Sequence, residues 1–394
     1  MLIVDDSIVF RRFLRDMFEG SNIAVICGEA QNGIEALDVM LRVDPDVIMM
    51  DMEMPLMDGM TALQHLMIHR PLPTIMFSSL TCEGTVRAFD ALKNGAVDFM
   101  CKDFIFQEHD PKRQREDILK KVVRASRMTV EHIEPVVEAG VALQNRPPSV
   151  KQVLFCEECG SRNLVDPTSV DITSAVCSQC GDSLVVHNIR DVQDYHEYIQ
   201  FVTILGGGEG AFRNLLNIIP SLNSKLVGSV IAVIYGDERQ VDTFTEYLDA
   251  VCAARVLRIQ EGMRLERGCC YIAAASDYIC LRPQGIGYTL KKVKNLDKEV
   301  GSIDLLMASI SSNFKERTAG VLLSGEEMDG LRGVSTILKN MGIAYALDPT
   351  DCLCQKLVKK ALETTGIEPV SGELELSRKI NELHNTREET ENDG

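Results

Sequence analysis

The sequence predicts an α/β protein made of two doubly wound parallel-sheet domains with a small cysteine-held module between them. Three observations carry this. Strand and helix patterns alternate five times between Met1 and about Ser126, a second alternation runs from about Gln200 to Thr365, and two Cys-x-x-Cys pairs lie between the two. A chain of 394 residues is long enough for two or three domains, and its 45% apolar content suits proteins with packed cores.

In the first domain, residues 1–126, the apolar runs Leu2–Val4, Ile23–Cys27, Val47–Met50, Thr74–Phe77 and Val97–Cys101 read as buried strands. Helical periodicity fills the gaps over Ser7–Phe18, Gly33–Leu41, Gly59–His69, Thr85–Lys93 and Arg115–Arg124. Residues 127–152, with Glu134-Pro135 and Asn145-Arg146-Pro147-Pro148, form a linker. Residues 153–186 hold the cysteine pairs. The second domain, residues 197–370, has strands at Phe201–Leu205, Val230–Ile234, Arg255–Ile259, Cys270–Ala274, Gly320–Leu323 and Ile343–Leu347. Its helices fall at Ala211–Ile219, Gln240–Ala250, Ile303–Phe314, Gly330–Asn340 and Cys354–Thr365. Residues 385–394 read as an acidic, disordered tail.

Bulk properties narrow the class of function. A net charge of −17 argues against nucleic acid as the main partner, because such a partner calls for a basic face. Met1 leads straight into a strand with no signal segment, and no apolar run approaches the length of a membrane span. The expectation is a reduced, cytoplasmic protein whose 13 cysteines are core fillers or metal ligands.

Four chemical features of the first domain fall at strand ends. Asp5 and Asp6 end the first strand, Asp51 the third, Ser78 the fourth and Lys102 the fifth. In an open α/β sheet the carboxyl ends of the strands form the binding crevice, so the four converge. Each residue alone reads as ordinary surface. Together they suit phosphoryl transfer to a carboxylate, which requires the repulsion between anions to be neutralised. Asp5, Asp6 and Asp51 are hard oxygen ligands for Mg²⁺, Lys102 is a point charge for phosphoryl oxygens, and the Ser78 hydroxyl can turn toward a new phosphate. The set resembles response-regulator receiver domains, which have a flavodoxin-like five-stranded parallel sheet. The resemblance makes Asp51 the phosphoacceptor, Phe99 the aromatic switch three residues before Lys102, and a sensor histidine kinase the partner. One departure is Asp103, where the family has proline after the lysine.

Cys156-Glu157-Glu158-Cys159-Gly160 and Cys177-Ser178-Gln179-Cys180-Gly181 are two knuckles with seventeen residues between Cys159 and Cys177. Each turn aims two sulfurs at one metal, and the glycine after it permits a tight backbone. The spacing predicts a zinc ribbon that folds a module too small to hold a core alone. Iron in a rubredoxin-like site would use the same four ligands. A redox role for the pairs is the weaker reading.

Residues Met54–Asp103 resemble most closely the receiver of chemotaxis protein-glutamate methylesterases, through His69-Arg70-Pro71-Leu72-Pro73, Ser78-Ser79-Leu80-Thr81 and Gly95-Ala96-Val97-Asp98-Phe99. A fainter resemblance to their esterase domain covers about 200–370, strongest at Gly320–Gly325 leading to Met328-Asp329-Gly330. That family uses a serine after the first strand of the domain, a histidine after the second and an aspartate in the last-named turn. Here the serine position falls at Leu205 or Gly206 and the histidine position at Tyr235 or close by. Asp329 alone survives, and reads as a solvated turn carboxylate without a partner. None of the seven histidines lies between Glu197 and Leu383, so a Ser-His-Asp mechanism lacks its base.

The resemblance therefore implies a phosphorylation-switched regulator of a chemotaxis-like pathway, with a methylesterase-like domain that binds instead of hydrolysing. Chemoreceptors or other signalling proteins are the expected further partners. Two alternatives stay open: a working receptor methylesterase with displaced residues, and a nucleotide-dependent enzyme using Gly206-Gly207-Gly208-Glu209-Gly210-Ala211. That loop meets the GxGxxA pattern, but Glu209 puts a negative charge where a phosphate would sit, and Asp237 lies 29 residues past Gly208, further than the usual acidic partner.

Overall fold

A computed structural model describes residues 1–21, 23–78, 82–102, 105, 110–130, 152–155, 161–165, 174–181, 183–185, 199–284, 287–293 and 300–385. The chain divides into two units, Met1–Ala139 and Gly140–Gly394.

In the first unit the order is β1 (Leu2–Val4), α1 (Ile8–Phe18), β2 (Gly28–Ala30), α2 (Gly33–Met40), β3 (Ile48–Asp51), α3 (Gly59–His69), β4 (Thr74–Ser78), α4 (Cys82–Lys93), β5 (Asp98–Cys101) and α5 (Pro111–Ala125). The strands pair in parallel in the order β2-β1-β3-β4-β5. The order reverses between β1 and β3, so the crevice of this sheet opens where Asp5 and Asp51 end their strands. Strand residues Leu2, Ile3, Ile48, Met49 and Met50 are fully buried. Each such side chain contributes about 1.5–3 kcal/mol relative to an exposed one. Helix α1 lays Phe10, Leu14, Met17 and Phe18 on the sheet, and Ser7 caps it by accepting from the Phe10 N–H.

Three boundaries differ from expectation by three residues or more, one of them the start of α4 at Cys82 instead of Thr85. The second strand is Gly28–Ala30, not Ile23–Cys27. β1 starts at the second residue and pairs Leu2 with Gly28, so Ile23 and Val25 precede the ladder and stay exposed. Helix α5 begins at Pro111, four residues before the expected Arg115. Asp110 caps it by accepting from the Lys112 N–H, and proline suits the first helical position because its missing N–H is not needed there.

The second unit opens with two antiparallel pairs, β6 (Gln152–Phe155) with β7 (Arg162–Val165), and β8 (Ser174–Val176) with β9 (Ser183–Val185). There follow β10 (Val202–Gly207), α6 (Ala211–Ile218), β11 (Ser229–Ile234), α7 (Glu238–Val251), β12 (Arg255–Arg258), β13 (Cys269–Ala274), β14 (Ile279–Gln284) and β15 (Gly287–Lys292). The chain continues through α8 (Ser302–Phe314), β16 (Thr318–Leu322), α9 (Leu331–Lys339), β17 (Ile343–Leu347), α10 (Lys356–Thr365), β18 (Pro369–Val370) and α11 (Glu373–Asn385). Seven strands form one parallel sheet in the order β12-β13-β11-β10-β16-β17-β18. Its order reverses at β10, which has β11 on one side and β16 on the other. The carboxyl ends of these three strands are therefore where a site would form. Ile204, Ile231, Tyr271, Leu306 and Phe314 belong to the core on one face.

Three features lie beyond the expected elements, one of them the short edge strand β18. The β14–β15 hairpin falls where the sequence reading places no element. Helix α11 carries the unit to Asn385, past the expected end at 370, because Leu376, Ile380 and His384 share one face and are buried. Residues 386–394, the rest of the expected tail, lie outside the described residues.

Candidate functional site

At the carboxyl end of the first sheet, carboxylate oxygens of Asp5, Asp6 and Asp51 lie within 4.8 Å of one another. Lys102 places its Nζ 2.7 Å from Asp5 Oδ2 and 2.8 Å from Asp51 Oδ2. The same ammonium sits 4.8 Å from the centroid of the Phe10 ring, which packs edge-on against Phe77. Asp5 is fully buried, and its second oxygen accepts from the Ser7 N–H. Arg11 donates to the Asp5 carbonyl at 2.6 Å and pairs with Glu29. Asp51 is 6% exposed. Burial lifts its carboxyl from the ordinary 3.8 to about 6, against the hydrogen bond and charge of Lys102 and with help from Asp5 and Asp6. Burial would lower Lys102, but its hydrogen bonds to Asp5 and Asp51 outweigh that and hold it above its ordinary value.

The loop after Asp51 folds back on itself. Gly59 donates to the Met52 carbonyl at 3.0 Å, and a Cβ on Gly59 would collide with the Asp51 carbonyl oxygen. Ser78 is buried at the end of β4 and pairs with Cys101, the residue before Lys102. Phe99 is half-buried on β5, edge-on to Phe89 with centroids 6.0 Å apart. All the strand-end residues expected at the first site thus come to one end of one sheet. Asp103 lies outside the described residues. The three carboxylates are the hard donor set a small divalent cation takes, and a carboxylate beside a half-buried ammonium is chemically able to accept a phosphoryl group. Phe10 and Arg11 were not anticipated; their signal, an aromatic and a cation one helical turn into α1, is too common to single out.

At the carboxyl ends of β10, β11 and β16, Tyr235 donates its phenolic proton to Asp329 Oδ2 at 2.8 Å. Asp329 is buried, which corrects the expectation of a solvated carboxylate without a partner. Its Oδ2 also accepts from the Ile303 N–H and its Oδ1 from the Asp304 N–H, each at 2.9 Å, so it caps α8. A Cβ on Gly301 would collide with this carboxylate. Asp304 returns the arrangement. Its Oδ1 accepts from Gly330 N at 2.9 Å and Gly333 N at 2.6 Å, capping α9. Burial raises the Tyr235 hydroxyl above its ordinary value, and the charge and hydrogen bond of Asp329 add to the effect, so the phenol stays protonated. Burial likewise raises Asp304.

The positions matched to the missing serine, Leu205 and Gly206, lie inside the β10 ladder, paired to Ala232 and Val233 on one side and Val321 and Leu322 on the other. A side chain on Gly206 would meet Ile303 Cγ2 at 2.5 Å. A Cβ on Gly208 would collide with the Glu327 carboxylate, and Gly208 N donates to the Ser324 carbonyl at 2.8 Å. One histidine does belong to this unit. His384, on α11, places Nε2 3.0 Å from Thr203 Oγ1. Thr203 lies five residues before Gly208, a span of about 16 Å along a strand, so this imidazole is far from the strand ends.

In the module between the α/β domains, Cys156 and Cys159 lie outside the described residues. Cys177 is buried and Cys180 exposed. The hydrogen bond with Ser161, then backbone N–H groups of Cys180 and Gln179, pull the Cys177 thiol down to about 5.

Comparison with known proteins adds the following. Residues 1–110 match the response regulator receiver domain and residues 203–379 the CheB methylesterase domain. The protein-glutamate methylesterase/protein-glutamine glutaminase of Pyrococcus horikoshii is 26% identical over 367 residues, 92% of this chain and 88% of that protein. A second protein of that description, from Carboxydothermus hydrogenoformans, is 28% identical over 388 residues, 97% of this chain and 98% of the relative. The CheB methylesterase catalytic domain of Thermotoga maritima overlays with a TM-score of 0.45 at 21% identity, over 46% of this chain and 98% of that structure.

Proposed function

We propose that this chain, a response regulator receiver domain joined to a CheB methylesterase domain, is a phosphorylation-switched regulator of a chemotaxis-like two-component pathway. The observation that carries the reading is the ring of Asp5, Asp6 and Asp51 oxygens with Lys102 inserted between two of them. Asp51 takes the phosphoryl group from a sensor histidine kinase. Asp5, Asp6 and Asp51 would hold a Mg²⁺ ion, which would supply the positive charge that offsets the approaching phosphate. Lys102 leaves its carboxylate partners for the phosphoryl oxygens. The Ser78 hydroxyl turns toward the new phosphate, and Phe99 repacks behind it.

The C-terminal domain is proposed to bind rather than hydrolyse. A phenol kept protonated beside Asp329 cannot take a proton from a nucleophile, and the strand end carries glycine in place of serine. The Glu327 carboxylate against Gly208 adds a second negative charge to the loop that a nucleotide phosphate would enter. The competing reading is a protein-glutamate methylesterase acting on chemoreceptors, which the names of the relatives favour.

Both parts can be tested on the purified full chain. With Mg²⁺ and a small phosphodonor, intact mass should show one added phosphoryl group, lost in Asp51→Asn. A chain that never becomes labelled would remove the switch. Methylated chemoreceptor should release no methanol above background, with or without phosphorylation; release abolished by Asp329→Ala would establish the esterase instead.

A further inference from the structure

Two buried polar residues lie between the α/β domains and serve neither site above. Ser161 is 4% and Asn163 6% exposed, although the strands around them have only three or four residues each. Both face Cys177. Ser161 Oγ lies 2.9 Å from Cys177 Sγ, and Asn163 Nδ2 reaches the same sulfur at 3.6 Å while donating to the Ser161 carbonyl at 2.9 Å. Asn163 Oδ1 accepts from both the N–H and the hydroxyl of Ser178, each at 2.9 Å. The Gln179 N–H donates to Cys177 Sγ at 3.4 Å. Gly181 closes the turn by donating to the Cys177 carbonyl at 3.0 Å, with a φ of +81° that glycine adopts freely. Polar groups converging on one sulfur from Ser161, from Asn163 and from its own turn suit a thiolate ligand. A neutral core thiol needs none of them.

We propose that Cys156, Cys159, Cys177 and Cys180 hold one structural zinc ion, with Asn163 and Ser161 as positioning residues that tie the first cysteine turn to the sulfur of the second. Cys156 and Cys159 lie outside the described residues, and their part rests on spacing and connectivity. Ser161 follows Cys159 by two residues in the sequence, and Ser161 itself lies against Cys177. Four thiolates close the coordination shell and leave no position for substrate, so the ion holds the module together.

The purified full chain should carry one equivalent of zinc by elemental analysis. A thiol-modifying reagent should release that zinc as four protected thiols of the 13 react, a stoichiometry that does not depend on any variant folding. Cys177→Ser should lose the metal, and Cys27→Ser, at an exposed cysteine of the receiver, should keep it. Asn163→Ala should speed zinc release to a chelator about tenfold, and Asn163→Asp more, because it keeps an acceptor for Ser178 but turns a negative oxygen on the thiolate. A zinc-free protein whose cysteines all react freely would overturn the site. Coloured protein with one equivalent of iron would overturn the zinc assignment, and unchanged release from both Asn163 variants would overturn the positioning role.

Discussion

Tyr235 and Asp329 meet through a 2.8 Å hydrogen bond at the point where β11 and the turn after β16 come together. The carboxylate in this pair is shared among a phenol and two amides of α8, so its negative charge is spent on capping. Asp304 does the same for α9. The two helix starts are therefore bound to each other by crossed carboxylates, each at the beginning of one helix and capping the other. A residue that family resemblance marks as part of catalytic machinery here has a complete structural occupation.

The first prediction follows. Asp329→Ala strands the Ile303 and Asp304 amides and the Tyr235 hydroxyl in a buried place, and should lower stability by about 2–4 kcal/mol. Tyr235→Phe removes one donor and should cost about 1 kcal/mol. The chain has no tryptophan, so calorimetry is the suitable measurement. An Asp329→Ala protein as stable as its parent would show that the caps contribute nothing.

The second concerns Lys102, the cation between Asp5 and Asp51. Lys102→Met leaves the buried Asp5 and Asp51 facing each other without a neutralising charge. Without metal this should destabilise the receiver by about 3–5 kcal/mol. Divalent cation should then recover more stability in the variant than in the parent, because the metal takes over the charge that lysine supplied. Melting curves with and without Mg²⁺ measure the difference; equal Mg²⁺ shifts in both proteins would remove lysine from the acidic cluster. Labelling by a small phosphodonor should fall at least about tenfold.

The third is steric. Gly59 is the close approach that lets the loop after β3 return to Asp51. Gly59→Ala should cost about 1–3 kcal/mol by overpacking against backbone and should slow labelling of Asp51 by shifting its carbonyl. If labelling and stability both match the parent, the loop has more freedom than its hydrogen bond to Met52 implies.

The receiver was legible because its functional residues end apolar runs, and strand ends of a parallel sheet converge by topology alone. Asp5, Asp51, Ser78 and Lys102 needed no knowledge of long-range contacts. Asp329 was misread for the opposite reason. Its partners, Gly301 to Asp304 and Tyr235, lie 25 or more residues away in sequence, and a cap made from another segment leaves no local signature. The second strand was misplaced because Ile23 and Val25 are apolar, yet the register is set by where β1 begins. Helix α11 escaped notice because its buried face is narrow, Leu376, Ser377, Ile380 and His384, and is surrounded by charged residues.

That helix carries the last prediction. His384 is fully buried, with Nε2 on Thr203, its ring 5.2 Å from that of Phe201, and Nδ1 without a hydrogen-bond partner among the described residues. Burial lowers its pKa from the ordinary 6.5 to about 4. The folded protein thus holds the neutral imidazole, while the unfolded chain takes up a proton below about pH 6.5. Stability is therefore full above pH 6.5 and is lost as pH falls toward 4, by up to about 3 kcal/mol. His384→Gln keeps a polar group for Thr203 but has no proton to gain, so its unfolding should be flatter across that window. Calorimetry of both chains between pH 7 and pH 4 measures the slope. Parallel curves would mean that the charged imidazole finds water without α11 leaving the sheet.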